Sequence, residues 1–72
     1  MKKTFKLEDL DCANCAAKME AAIKKLDGVN DASVNFMTQK LTIDADDGVF
    51  DEVLQKAIKA IRRVEPDCRV IL

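Results

Sequence analysis

Two cysteines three positions apart, Cys12 and Cys15, are the residues of this chain best suited to chemistry, and Asp11 stands immediately before the first of them. A pair of thiolates can bind a soft or borderline metal ion, or it can attack a disulfide. We expect Cys15 to lie in or near the first turn of a helix, because the residues after it repeat with helical spacing. Free N–H groups and the helix dipole favour anions at that position, so we expect both thiols to have a lowered pKa.

The rest of the cysteine and histidine content limits the alternatives. A structural zinc site normally has four cysteine or histidine ligands, whereas this chain contains three cysteines and no histidine. The odd number of cysteines also argues against a disulfide framework. Cys68 is interpreted as a core residue, with a third thiolate ligand as the alternative. A thioredoxin-like redox pair would follow a strand in a different order of elements, which disfavours a dithiol redox function. We keep that function as an alternative.

Length and composition indicate one compact domain, residues 1–72, with 49% hydrophobic and 35% charged residues. The formal net charge of -1 provides no surplus of positive charge for a phosphate backbone, so we expect no nucleic-acid partner. The basic start does not lead into the apolar run of a secretory signal, and no segment approaches the roughly 20 apolar residues of a membrane span. We therefore expect a cytoplasmic monomer without direct membrane contact.

Six segments with strand or helix periodicity follow one another along the chain. They are predicted as strand, helix, strand, strand, helix and strand over residues 3–8, 15–26, 31–36, 40–44, 50–64 and 67–72. Gly28 is predicted to cap the first helix in a left-handed conformation, and Pro66 to stop the second. The βαββαβ order predicts an α+β fold, the ferredoxin-like or split βαβ sandwich, in which two helices cover one face of a four-stranded antiparallel sheet.

The direction of consecutive elements places the cysteine loop. Strands and helices alternate in direction across such a domain, so the loop that contains Cys12 should lie at the same end as the turn at Met37-Thr38 and the loop of residues 64–67. Glu65, Asp67 and the start of the strand that contains Cys68 are therefore the candidates for completing a metal site, with a solvated acid as the alternative for Glu65. Asp11 adjoins Cys12 in the same loop, and one interpretation of it is a helix cap.

The same strand order occurs in RNA-recognition domains, which stack bases on aromatic side chains of the open sheet face. The residues predicted to lie on that face carry no aromatic ring; they are Thr4, Lys6, Ser33, Asn35, Lys40 and Thr42. RNA binding is therefore excluded as an interpretation.

The chain resembles the heavy-metal-associated domain, which occurs at the N-termini of metal-pumping P-type ATPases and as free-standing metallochaperones. The resemblance rests on the βαββαβ order and on the segments Asp11–Ala16, Leu26–Val29 and Val34–Phe36. The family's usual Gly-Met before the motif is Asp9-Leu10 here. The resemblance implies that Cys12 and Cys15 carry a soft metal ion, which passes to a partner domain by ligand exchange.

Asp11 distinguishes this chain from copper-carrying members of the family, which have Thr-Cys-x-x-Cys at this point. Cu⁺ is satisfied by two thiolates, whereas Zn²⁺, Cd²⁺ and Pb²⁺ take three or more ligands, and a carboxylate suits Zn²⁺. Asp-Cys-x-x-Cys is similar to the motif of zinc, cadmium and lead exporters. The resemblance therefore implies a non-catalytic, cytosolic domain of an inner- or plasma-membrane pump, which binds one of these divalent ions.

Partners and alternatives follow from the same resemblance. The domain is expected to contact other domains of the pump, or a partner heavy-metal-associated domain, only transiently. A free-standing metallochaperone for zinc or for Cu⁺ is the alternative within the family, because the sequence of the domain is compatible with either arrangement.

Overall fold

The computed structural model describes residues 1–72 and confirms the predicted order of elements. The helices and strands are β1 (Lys2–Glu8), α1 (Ala13–Lys24), β2 (Val29–Asn35), β3 (Lys40–Ala45), α2 (Phe50–Val64) and β4 (Arg69–Ile71), with a single 3₁₀ turn at Asp47–Val49 before α2. The four strands form one antiparallel sheet in the order β2-β3-β1-β4. Both helices pack on this sheet and on each other, which is the ferredoxin-like arrangement.

The two faces of the sheet differ because the strand residues alternate. In β1, Leu7 is fully buried against the helices, whereas Thr4 is exposed on the open face. Thr4 pairs in register with Thr42 of β3, and their hydroxyl oxygens lie 3.1 Å apart. The predicted position of Thr4 and Thr42 on the open face is therefore confirmed.

One hydrophobic core lies between the sheet and the helices. Helix α2 has the clearest apolar stripe, and helix α1 and all four strand regions complete the core. The 15 buried residues are Leu7, Leu10, Ala16, Met19, Ile23, Ala32, Leu41, Ile43, Ala45, Phe50, Val53, Leu54, Ala57, Ile61 and Cys68. Neither helix has both the length and the apolar character needed to cross a membrane.

The end of α1 differs from the sequence prediction. The helix ends at Lys24, and the chain then tightens, with the N–H of Leu26 donating to the carbonyl of Ile23 at 3.1 Å. Gly28 has the expected left-handed backbone (φ 92°), but it lies in the turn that leads into β2 and does not cap the helix. A side chain at Gly28 would also approach Val53, since an added Cβ would lie 3.0 Å from a Val53 methyl group. The prediction that the helix continues to Leu26 was wrong, because an apolar stripe also continues through a tight turn.

Candidate metal site

The cysteine loop joins β1 to α1 and places both thiols at the start of the helix. Cys12 is the N-cap residue, with an extended backbone, and its sulfur accepts a hydrogen bond from the N–H of Cys15 at 3.3 Å. Cys15 therefore lies in the first helical turn, as predicted. The N-cap is Cys12 and not Asp11, so the alternative interpretation of Asp11 as the helix cap is wrong.

The two thiols have opposite pKa shifts. The pKa of Cys12 is lowered, because its sulfur accepts hydrogen bonds from the Cys15 side chain and from the Cys15 N–H. The pKa of Cys15 is raised to about 11 by its hydrogen bond to Cys12, by burial and by the negative charges of Cys12 and Glu65. The prediction of two lowered values is therefore wrong for Cys15. The helix N-terminus stabilises one thiolate, and that thiolate opposes ionisation of its neighbour.

Glu65 is the acidic residue in contact with the cysteine pair. It follows the last residue of α2, its N–H donates to the carbonyl of Ile61 at 2.9 Å, and its carbonyl accepts from the N–H of Cys68 at 3.0 Å. These backbone bonds fix the loop, and they hold Oε2 of Glu65 3.7 Å from the Cys15 sulfur, where it is the second acceptor for the single thiol proton of Cys15 beside the Cys12 sulfur. The predicted proximity of the loop of residues 64–67 to the cysteine pair is confirmed.

Asp11, unlike Glu65, makes no hydrogen bond to the cysteine pair. Its side chain is exposed and lines a shallow depression of about 450 Å³ beside the cysteine loop. Arg62, Asp67 and Arg69 line the same depression, whereas neither Cys12 nor Cys15 does. Asp11 is therefore next to Cys12 in the chain, but in this structure its side chain makes no hydrogen bond to either cysteine and lines a depression that two arginines also line.

Cys68 belongs to the core, with 2% of its surface exposed, and burial raises the pKa of its thiol. The structure thus joins Cys12, Cys15 and Glu65 through hydrogen bonds. No group of three or more cysteine, aspartate or glutamate side chains is already arranged around a common ion position. The assignment of Cys12 and Cys15 as metal ligands, and of Asp11, Glu65 and Cys68 as ligands beside them, stays a prediction.

The residues just before the motif explain how the loop is shaped. Asp9 has a left-handed backbone (φ 61°), a conformation that glycine adopts freely and aspartate tolerates better than most residues. Leu10 is 1% exposed and anchors the loop in the core. Asp9 therefore occupies a position where the family's usual glycine has a conformational advantage, and Leu10 packs as the family's methionine is expected to pack.

Sequence reasoning missed Gln39, which lies at the end of the turn between β2 and β3. Its side-chain amide donates to the carbonyl of Leu10 and accepts from the N–H of Leu10 at 3.4 Å. These bonds confirm the predicted proximity of this turn to the cysteine loop. In the sequence, only the predicted nearness of this turn to the cysteine loop pointed to Gln39, because a glutamine in a turn does not by itself indicate a contact with another loop.

Comparisons with known proteins agree with this geometry. The family model of the heavy-metal-associated domain matches residues 4–64. The chain is 36% identical over 70 residues to the cadmium, zinc and cobalt-transporting ATPase of Bacillus subtilis (strain 168). The aligned region covers 97% of this chain and 10% of that protein. It is 44% identical over 62 residues to the zinc/cadmium/lead-transporting P-type ATPase of Escherichia coli (strain K12). This aligned region covers 82% of this chain and 8% of that protein.

A solved structure supports the same relationship. The N-terminal domain of a potential copper-translocating P-type ATPase from Bacillus subtilis, in its Cu(I)-loaded state, matches with a TM-score of 0.75 and 25% identity, covering 99% of this chain and 84% of that chain. The chain spans about a tenth of the length of the curated ATPases that it matches. From the family match and the fold, this chain belongs to the heavy-metal-associated domain family of non-catalytic, metal-binding domains.

Proposed function

We propose that this domain binds one divalent ion, Zn²⁺, Cd²⁺ or Pb²⁺, through Cys12 and Cys15, and delivers it to a metal-exporting P-type ATPase or regulates that pump. A carboxylate completes the site. The observation that carries the proposal is the contact between the Cys15 thiol and the Glu65 carboxylate. Two relatives whose names include zinc and cadmium transport support the choice of metal.

The distance between these two groups suits a four-coordinate ion. The sulfur of Cys15 and Oε2 of Glu65 are 3.7 Å apart. Two ligand atoms on a tetrahedral Zn²⁺, with Zn–S near 2.3 Å and Zn–O near 2.1 Å, would be separated by about 3.6 Å. Glu65 can therefore become a ligand together with Cys15 without a change in the loop that carries it.

The charge balance also favours a divalent ion. Two thiolates neutralise Zn²⁺, Cd²⁺ or Pb²⁺, and these ions still have coordination positions that a carboxylate can fill. Two thiolates with Cu⁺ leave a net negative charge, and a carboxylate beside them adds repulsion. Glu65 and Asp11 would thus attract the divalent ions and oppose Cu⁺ at the same site.

Asp11 is the second carboxylate of the proposed site. Its exposed side chain makes no hydrogen bond to Cys12 or Cys15 in this structure, so ligation requires the carboxylate to move onto the ion that the two sulfurs hold. We expect Asp11→Asn to weaken Zn²⁺ binding by roughly 10–100-fold, while Cu⁺ binding holds steady or improves. Asp67→Asn is the matched control, because Asp67 lines the same depression and the charge change is identical. Equal losses in both variants would remove Asp11 from the site.

Copper is the second candidate metal, because the chain resembles a domain whose structure was solved in its Cu(I)-loaded state. Under this alternative the domain is a copper carrier, either in a pump or as a free-standing metallochaperone, and the two carboxylates are not ligands. A dithiol redox protein is the third possibility, and it predicts a reduction potential near that of the cytosolic thiol pool.

Transfer by ligand exchange requires both partners to touch the same ion, so the partner must dock at the end of the domain that carries Cys12. The proposed partner is another cytosolic domain of the pump or a second heavy-metal-associated domain. We expect chemical-shift changes on addition of a metal-loaded partner to centre on residues 11–18 and 64–67. Changes confined to the open sheet face, around Thr4 and Thr42, would contradict this docking mode.

A further inference from the structure

The side chain of Gln39 makes a reciprocal pair of hydrogen bonds with the backbone of Leu10. Its Nε2 donates to the Leu10 carbonyl, and its Oε1 accepts from the Leu10 N–H at 3.4 Å. The Gln39 carbonyl also accepts from the N–H of Leu7 at 2.7 Å, which continues the pairing of β3 with β1 beyond the last pair of strand residues. Gln39, which immediately precedes β3, is therefore bonded to β1 through its backbone and to the cysteine loop through its side chain.

The backbone of Gln39 is not the one that its residue type prefers. Its φ of 54° lies in the left-handed region, where glycine is the usual residue and a side chain has a conformational cost. The turn itself is closed by a different side chain, since Oδ1 of Asn35 accepts from the N–H of Thr38 at 3.1 Å. The amide of Gln39 is thus not needed to close the turn, and its partners lie in the cysteine loop.

Leu10 is the anchor of that loop. Its side chain is 1% exposed, and it precedes the N-cap residue Cys12 by two positions. With the Leu10 side chain fixed in the core and its N–H and carbonyl held by one amide, the direction in which the chain enters Cys12 is fixed as well. Metal sites depend on such support, because partners that orient the ligands typically change metal affinity by about 10–100-fold when they are removed.

We infer that Gln39 is a positioning residue for the metal site: its amide holds the Leu10 peptide so that Cys12 and Cys15 are arranged to bind the same ion. This inference rests on the proposed function, and it adds a residue outside the cysteine loop to the site. It also explains why a residue other than glycine is present at a left-handed position.

Replacing Gln39 by glycine separates positioning from general stability. Gln39→Gly removes the amide but suits the left-handed backbone, so relief of the backbone strain offsets part of the stability lost with the two hydrogen bonds to Leu10. We expect the dissociation constant for Cd²⁺, measured by competition with a chelator, to rise about tenfold. In the metal-free protein, hydrogen exchange of the Leu10 amide should become at least tenfold faster, because its acceptor is gone.

Asn35→Ala is the matched control, because it loosens the same turn without touching Leu10. We expect it to leave Cd²⁺ affinity and Leu10 exchange within about twofold of the wild type, even where it lowers stability. Unchanged Cd²⁺ affinity in Gln39→Gly, or an equal loss in Asn35→Ala, would overturn the positioning role. Gln39→Asn is a second variant that tolerates the left-handed backbone, and its amide is one methylene too short, so it should show the same loss.

Failure of the inference can be distinguished from failure of the proposed function. If the wild-type domain binds no divalent ion, the proposed function is wrong. The exchange rate of the Leu10 amide is measured without metal, so it still decides whether Gln39 holds this peptide. Unchanged exchange in Gln39→Gly would refute the inference whatever metal the domain binds.

Discussion

Replacing Glu65 by glutamine tests the proposed role of its carboxylate in metal choice. Glutamine has the same shape but no charge, and the backbone bonds of this residue to Ile61 and Cys68 do not involve the side chain. Glu65→Gln should therefore fold normally and change only the electrostatics and donor strength of the site. We expect it to weaken Zn²⁺ binding and to leave Cu⁺ binding unchanged or stronger.

The magnitude follows from the distances. A carboxylate oxygen about 2.1 Å from Zn²⁺ would lie near 3.7 Å from the Cys15 sulfur, as it does now. We take a similar distance from this oxygen to the Cys12 sulfur and the dielectric constant of water. The attraction of the carboxylate to the ion then exceeds its repulsion from the two thiolates by an amount that corresponds to roughly 20-fold in affinity. For Cu⁺ with two thiolates, the removed repulsion corresponds to a gain of up to about fivefold. The Zn²⁺-to-Cu⁺ affinity ratio should thus fall by roughly 20- to 100-fold.

Competition titrations with chromophoric chelators, one suited to each metal, measure both affinities on the reduced protein. Glu52→Gln is the control, because Glu52 is exposed on α2 and its Oε1 lies 3.9 Å from the Lys56 ammonium group. It makes the same charge change at a residue outside the proposed site, so we expect less than a twofold effect on either metal. An equal change for both metals in Glu65→Gln, or the same shift in Glu52→Gln, would refute the reasoning.

Three further predictions concern the loop and the core. At pH 8, iodoacetamide should label Cys12 of the metal-free protein before Cys15, because the pKa of Cys12 is lowered and that of Cys15 is raised to about 11; peptide mass spectrometry would detect equal labelling, which would contradict this. Cys68→Ser should lower the free energy of unfolding by roughly 1–3 kcal/mol, since it buries a hydroxyl group, and should leave Zn²⁺ affinity unchanged; a loss of affinity would make Cys68 a ligand. Asp9→Gly should raise the free energy of unfolding by roughly 0.5–1 kcal/mol in urea denaturation, because φ is 61° there; a decrease would show that the Asp9 side chain is needed.

The fold could be predicted from the sequence because its elements have clean periodicities. The stripe of α2 and the alternation of β1 and β3 each determine which face is buried, and their order leaves few topologies. The end of α1 could not be predicted, because an apolar residue at Leu26 fits a tight turn as well as a helix. Only backbone hydrogen bonds and the dihedral angles near Gly28 distinguish the two.

Of the candidate site, the positions of the cysteine pair and of Glu65 could be predicted from the sequence. The spacing of Cys12 and Cys15 and the alternation of element directions were sufficient to place Glu65 near the pair. The raised pKa of Cys15 was missed, because a helix N-terminus suggests lower values for both thiols, and only the structure shows that Cys15 lies beside both Cys12 and the Glu65 carboxylate. The contribution of Gln39 was missed because it depends on a left-handed backbone and on two bonds to a residue 29 positions away.

The most direct test of the central claim is a titration of the reduced domain with Cd²⁺, in which the ligands are assigned by NMR. We predict one ion per chain, with shifts at Cys12 and Cys15 and at the carboxylate carbon of Glu65 or Asp11. The Cys12→Ala/Cys15→Ala variant should remain folded, because Cys12 lies outside the 15-residue core and Cys15 only packs against it, and should lose tight binding. Tight Cd²⁺ binding by that variant, or a Cd²⁺ site in the wild type without a carboxylate ligand, would contradict the account.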